Sequence, residues 1–496
     1  MAGNGVVLAT LIFYKVVLVA IGVWAARRVK NEDDFFLGGR GLGPIVAGVS
    51  YSASSSSAWI LLGFTGFVYA AGVSALWMLP GFWVGYAVLW LWLGKMLREE
   101  SAAEGHVTLT DFLVARLQGR GRRLVAALAA LLTAFCFIFY IAAQFDATAK
   151  AFMEEFGLGF TTSVLIGAVI IVVYSMMGGF WAVSVTDTLQ GIVMILVALG
   201  LSLTAFFAAG GFQGIGEGLA GVPVTMDLFG GRTGFLALGF VLGTMSIGLG
   251  TFGQPHLVSR LMAVRDDAAR RQGFVVAISW SIVISIAMAV LGLAGRVLTP
   301  EMADGESLFY ALAGTLLPAV VAGVVIAAVL SAVMSTVDSI LLAASGAIAH
   351  DLGLVRVFPN RAVLISRATM IGIAILAVAL TLALPDTIFN RVLFAWAALG
   401  AAFGPIIFAR TAGVEPPALA IGLSIVAGFA VTVLFYLLGA APVNDGAGAM
   451  AALSRLAHLP GDPFERLVPW VLPLALLFFW PKSASSVSIK TRSVSS

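Results

Sequence analysis

Charged residues make up only 11% of this 496-residue chain, against 60% apolar residues, and that shortage excludes a soluble globular domain of ordinary composition. Cysteine occurs once, as Cys136 inside an apolar run, which excludes a disulfide or cysteine-cluster framework. The four histidines are scattered, without the spacing a metal site needs. The start lacks the basic segment and small-residue cleavage site of a signal peptide, so the first apolar run is expected to be retained. Long polar stretches are missing too: the longest connections, near 98–122, 209–234 and 440–465, are of loop size, which leaves a catalytic domain nowhere to fold. The chain is therefore expected not to be an enzyme. Its net charge of +3 carries no nucleic-acid signal, because the basic residues gather in loops.

What the chain has in abundance is hydrophobic length. With a mean hydropathy of +1.04 it reads as an all-α polytopic membrane protein. Thirteen apolar segments reach spanning length, near 5–26, 43–70, 74–97, 123–150, 160–178, 180–208, 235–258, 273–297, 310–346, 363–385, 389–409, 416–439 and 466–481. The ninth is too long for one simple crossing, and the eleventh is expected to be broken at Gly400, Gly404 and Pro405. When the connections alternate sides with the N-terminus outside, most of the 28 basic residues fall inside, Arg260 among them. Lys150, Arg232, Arg296, Arg391, Arg455 and Arg466 fall outside, and Lys15 lies within the first run, where it can snorkel. This bias predicts a multi-pass protein of the plasma (inner) membrane with a cytoplasmic C-terminus. The short Ser-rich, basic tail after Trp480 is expected to be disordered.

Ser50 to Trp59, reading SYSASSSSAW, places six serines in a run otherwise apolar enough to cross the bilayer. Serine competes for backbone hydrogen bonds, so the cluster marks a place where a helix loosens. Freed carbonyls at membrane depth must be buried in protein or line a wet cavity. Two readings stay open at this point: a broken helix whose oxygens hold a hard cation, or a Ser-rich helix packed closely on a neighbour. A second stretch, AVLSAVMSTVDS from Ala328 to Ser339, sets Ser331, Ser335, Asp338 and Ser339 at helical spacings along one face, with Thr336 beside it. A carboxylate at such depth is expensive and points to function, unless it sits near a helix end and is solvated. Asp187 is the other acid at this depth, with Ser184 and Thr188 one turn to either side as hydrogen-bond partners; the alternative is a helix-start carboxylate near the interface. Asp146 and Lys150, four residues apart, read as an interfacial ion pair. Trp59 and Tyr140 read as packing or interface anchors.

At these residues the chain resembles the sodium:solute symporters, and within them the proline-transporting branch. The likeness runs through FFLGGRGLG (Phe35 to Gly43), AVSVTDTLQ (Ala182 to Gln190), FGQPHLVSRLMA (Phe252 to Ala263) and LSAVMSTVDS (Leu330 to Ser339). The resemblance implies a core of two inverted repeats of five helices, here 43–208 and 209–411. These follow a first helix and loop (1–42) and precede two C-terminal helices (412–481) and the tail 482–496. It implies a sodium site made by the carbonyls of Ala53, Ser56 and Ala332 with the hydroxyls of Ser335 and Thr336. A second cation site, present in some relatives, would use Ser335, Asp338, Ser339 and Asp187. It implies a small-solute pocket at Ser55, Ser57, Trp59, Tyr140, Ile247, Thr251 and Pro255.

Three departures bear on the solute and the ion. Ser55 stands where the proline-transporting branch has an aspartate, and Asp338 stands where it has a serine. Ile247 and Thr251 replace a tryptophan and a tyrosine that would pack on a proline ring. The implied activity is symport in which Na+, the coupling ion, carries a small organic solute across the lipid bilayer, the solute being an amino acid such as proline or a small carboxylate. Loss of the acid at Ser55 leaves proton-coupled or facilitative transport as the alternative, and a transporter-like sensor is a second.

Overall fold

The computed structural model describes residues 32–481 apart from 177–178, 223–224, 359–360 and 385, together with residues 16, 17, 20, 21 and 24. Most of the expected first span, with Lys15, and the tail from 482 lie outside the described residues. Among the described residues the chain is helical without a strand; a lone parallel bridge joins Leu42 to Val264.

Nine helical stretches are long and apolar enough to cross a bilayer among those residues. The first, Pro44–Glu104, has 61 residues. At about 1.5 Å per residue that is roughly twice a bilayer span, and it turns back at Gly72. Gly72 has φ +65, and a Cβ there would meet the Thr225 carbonyl oxygen at 2.1 Å, so only glycine fits. The stretch thus supplies two crossings: α1 (Pro44–Ala58) continued to Ala71, and α2 (Met78–Ala87) continued to Glu104. Then come α3 (Gly119–Phe156), α4 (Phe160–Ser175), α5 (Phe180–Ala208), α6 (Gly234–Met245), α7 (Pro255–Ala263) and α8 (Asp267–Leu298). The chain continues through α9 (Ala319–Ser345), α10 (Ala362–Ala383), α11 (Ile388–Thr411), α12 (Ala418–Ala440) and α13 (Val471–Phe478).

Local chemistry sets the ends. Pro44 opens α1 at its first turn, where its missing N–H costs nothing. The Asp266 carboxylate accepts the Ala269 N–H at 2.7 Å to cap α8, and Thr387 caps α11 through Asn390 N–H at 3.1 Å. Gly157, left-handed, closes α3.

One expectation holds and two change. The ninth segment splits into Leu308–Leu316 and α9, because Pro318 holds Leu317 extended. The eleventh is continuous through Pro405. Its glycines serve close approach instead: a Cβ on Gly400 would lie 2.6 Å from Gly250 Cα, and one on Gly404 would strike the Trp470 ring. The thirteenth is short, since Pro469 and Pro473 divide it into a turn at Val468–Trp470 and the eight residues of α13. The Asp146–Lys150 pairing also differs. Lys150 Nζ donates to Glu306 at 2.8 Å and pairs with Asp304 at 3.0 Å, while Asp146 lies 3.6 Å from Arg391. Glu306 also accepts the Ile388 and Phe389 N–H groups that open α11, which fixes its carboxylate between Lys150 and that helix start.

Burial grades the bundle. In α11 94% of the spanning window is buried, against 28% in α10. Large apolar side chains such as Leu196, Phe207 and Phe235 face outward, as lipid contact requires. At the centre α1 packs on α5, α8 and α9, so its serines are surrounded by protein on every side.

Candidate functional site

Helix α1 breaks at Ser57, whose φ of 44 and ψ of −164 lie outside the helical region. A side chain other than glycine is strained there, and the surroundings hold it. Ser57 Oγ accepts the Trp59 N–H at 3.2 Å and the Gln144 amide N–H at 3.4 Å, while Gln144 Oε1 accepts the Ala58 N–H at 3.3 Å. Gln144, on α3, escaped the sequence reading because a single amide in an apolar run has no pattern. We expect Ser57→Gly to stay within about 1 kcal/mol of the parent, strain relief offsetting the lost bonds, and Ser57→Val to lose about 2–3 kcal/mol. Thermal melting of the detergent-solubilised protein measures both; equal stability of the two variants would contradict the strain.

A second interruption separates α6 from α7. Short turns at Ile247–Gly250 and Thr251–Gly253 lead into Gln254, which is extended, and Pro255 starts α7. This loosened backbone lies against α11: a Cβ on Gly253 would sit 1.9 Å from the Leu399 carbonyl oxygen. Ile247 and Thr251 are buried in the interruption. Both His256 ring nitrogens and Gln254 Oε1 are buried without a hydrogen-bond partner among the described residues.

The two stretches singled out in the sequence meet. Thr336 Oγ1 donates to the Ser54 carbonyl at 3.2 Å and can donate to the Ala332 carbonyl at 3.0 Å. Ser54 Oγ lies 3.3 Å from both the hydroxyl and the carbonyl of Ser335. Ala53, Ser56, Ala332, Ser335 and Thr336 are fully buried, and Ser56 Oγ has no partner among the described residues. The contact concentrates neutral hydroxyl and carbonyl oxygens at membrane depth, the donor set that suits a dehydrated hard cation.

Beside it lies a centre built on Asp187. Its Oδ2 accepts from Ser50 Oγ at 2.8 Å, Ser54 Oγ at 3.1 Å and Arg260 Nη2 at 2.7 Å, with Ser339 Oγ at 3.4 Å. The expected partners Ser184 and Thr188 bond their own helix instead, at the Phe180 and Ser184 carbonyls. Arg260 is no loop charge. It sits on α7, its side chain 1% exposed, with its guanidinium 5.5 Å from the Phe180 ring centroid. The signal that could have placed it is Pro255, a helix-start residue, which sets Arg260 on the second turn. Asp338 stays apart from Asp187: it accepts from Ser175 Oγ on α4. One residue along a helix is a rotation of about 100°, so Asp338 and Ser339 cannot share a face as closely as the spacing suggested.

Aromatic rings line the break. Trp59 lies edge-on to Phe82 at 5.6 Å and to Trp396 at 6.4 Å, and its indole N–H donates to the Ser55 carbonyl at 2.8 Å. Ser55 Oγ also bonds the Tyr86 hydroxyl. Tyr140 packs on His256 with centroids 6.0 Å apart. Pro255 lies elsewhere, in the wall of a cavity shared with Phe36, Thr108, Phe180, Ser259 and Ser339. Thr108, in that wall, donates its Oγ1 to Asp351 at 2.8 Å, and the neighbouring His350 ring lies 3.2 Å from Asp111. Burial pushes the Asp111 carboxyl up, but His350 and the Val107 N–H outweigh it and hold the group below its usual range.

Comparison with known proteins gives a consistent picture. The model of the sodium:solute symporter family matches residues 35–409. The sodium/proline symporter 2 of Staphylococcus saprophyticus is 31% identical, over 80% of this chain and 79% of its own length. The osmoregulated proline transporter OpuE of Bacillus subtilis is 29% identical, over 81% of this chain and 82% of its own. Among solved structures, a Na+-coupled sialic acid symporter in a substrate-bound outward-open state superposes with a TM-score of 0.73 at 18% identity, covering 96% of this chain and 97% of that one. The nucleobase-cation-symport-1 family transporter Mhp1 gives 0.52 at 16% identity, covering 89% and 95%.

Proposed function

Since the chain belongs to the sodium:solute symporter family, we propose that it imports proline or an amino acid of similar size, driven by sodium. It is a multi-pass membrane transporter, not an enzyme, and sodium is its coupling ion. The names of its curated relatives support the solute class. Ile247 and Thr251, where proline-transporting members carry rings, take away the aromatic surface that would pack on a proline ring, which favours another amino acid or a small carboxylate over proline itself.

The observation that carries the reading is the Thr336–Ser54 contact, which joins the broken α1 to α9. Sodium held by the carbonyls of Ala53, Ser56 and Ala332 and the hydroxyls of Ser335 and Thr336 would tie these helices together. That tie completes the solute pocket formed by Ser55, Ser57, Trp59 and Tyr140. The repeats 43–208 and 209–411 then rock about the site, each opening on an interrupted helix. The basic loops face the cytoplasm, the N-terminus lies outside and the C-terminus inside. Each inward charge gains about 2.3 kcal/mol per 100 mV.

Uptake of radiolabelled L-proline into proteoliposomes tests this reading. An imposed sodium gradient should drive accumulation, and potassium should not. Equal uptake from a pH gradient in sodium-free buffer would replace the reading with proton coupling, the alternative that Ser55 raises. Binding without accumulation would make the chain a sensor.

A further inference from the structure

Arg260 is a fully buried charge that the sodium site does not use. Its Nη2 donates to Asp187 at 2.7 Å, to Ser54 Oγ at 2.8 Å and to Ser339 Oγ, and its Nε donates to Ser50 Oγ at 3.0 Å. Its Nη1 is turned back to the His256 carbonyl of its own helix. One side chain therefore engages α1, α5 and α9 from α7. Asp187 Oδ2 and the hydroxyls of Ser50, Ser54 and Ser339 are already turned toward a positive charge that belongs to the chain, while Asp187 Oδ1 is buried without a hydrogen-bond partner among the described residues. A second dehydrated cation at that spot would face the guanidinium at contact distance, in a medium that screens little. Ser339, one of the oxygens Arg260 engages, also lines the cavity walled by Pro255 and Ser259.

We infer that Arg260 is the resident cation of the Asp187 pocket, so that this chain binds one sodium where the acid and serines alone would accept two. The inference rests on the reading of the α1–α9 contact as a sodium site. The two are separable by ion count, because Arg260 donates to Asp187, Ser50, Ser54, Ser339 and the His256 carbonyl and to none of the five sodium-site residues, although Ser54 Oγ also lies 3.3 Å from Ser335. Neutralising Arg260 frees Asp187, Ser54 and Ser339, which together offer a mobile cation the carboxylate and hydroxyls that Arg260 now holds. Neutralising Asp187 as well removes the charge that would attract it.

Equilibrium binding of radiolabelled sodium to the purified full-length protein counts the sites without reference to any solute. The wild type should saturate at one ion per chain. Arg260→Gln should saturate at two, with the sodium cooperativity of uptake rising from a Hill coefficient of about 1 toward 2. Asp187→Asn/Arg260→Gln should return to one, and Arg260→Lys, which keeps the charge, should stay at one. Two ions on the wild type, or one on folded Arg260→Gln, would overturn the inference and leave the sodium reading intact. No saturable sodium on the wild type would overturn the sodium reading, and this inference with it. Should Arg260→Gln not fold, the wild-type and lysine counts still decide, since two on either refutes a resident cation.

Discussion

Replacing both Ser335 and Thr336 with alanine should raise the sodium concentration for half-maximal uptake about 100-fold, with the maximal rate at saturating sodium changed far less. The magnitude follows from the chemistry of the ligands. A hydrogen-bonding or ligating oxygen on a charged group contributes about 1.5 kcal/mol at the low end. Two such oxygens make about 3 kcal/mol, which is about two decades of affinity. Thr336 also donates to the Ser54 carbonyl at 3.2 Å, so part of any effect is structural. Thr336→Val keeps the shape but loses the ligand oxygen and that hydrogen bond together, so its melting temperature in sodium-free buffer measures the structural part. Its sodium affinity should fall about tenfold. The readout is sodium-dependent uptake over a concentration series at fixed membrane potential. An unchanged sodium dependence in the double variant would remove the α1–α9 contact as the ion site.

Much of this arrangement was legible in the sequence, and the reason is the bilayer. In hydrocarbon every helix announces itself by length, and a serine cluster or a carboxylate stands out because it is costly there. That is why Ser50 to Trp59, Ser335, Thr336 and Asp187 could be picked out one by one, and why the ninth segment read as too long for one crossing. What the sequence hid were pairings across the fold. Gln144 caps the Ser57 break from a helix 87 positions away, and no local pattern records such a partnership. Arg260 was assigned to a loop because charge alone argues for water, yet its cost is met by Asp187 and three serines contributed by three other helices. Asp338 misled in the opposite sense: its spacing suggested a shared face, and a rotation of one residue turns it to Ser175. The glycines of α11 were read as a break because glycine loosens isolated helices, whereas here Gly400 and Gly404 let Gly250 and Trp470 approach.

The Asp187–Arg260 pair should dominate stability as well as ion counting. Both side chains are essentially inaccessible, at 0% and 1% exposure, and 2.7 Å apart. Breaking a buried pair from one side leaves an uncompensated charge and costs about 3–5 kcal/mol. Asp187→Asn should therefore lower the melting temperature of the purified protein markedly, since Arg260 cannot leave its place among Ser50, Ser54 and Ser339. Arg260→Gln should cost somewhat less, because the freed carboxylate can take up a proton or a cation. The paired change Asp187→Asn/Arg260→Gln should recover most of the loss, with a coupling energy of at least about 2 kcal/mol in the double-mutant cycle. The two amides can still hydrogen-bond the serine hydroxyls within their reach, and no net charge remains to be solvated. Additive losses in the cycle would mean that the two groups act independently, and the close pairing seen here would then not be what holds α5 to α7. Sodium should separate the single variants further. It should raise the melting temperature of Arg260→Gln more than that of the wild type, because a ligand stabilises by binding the folded state and this variant offers it a second place to bind.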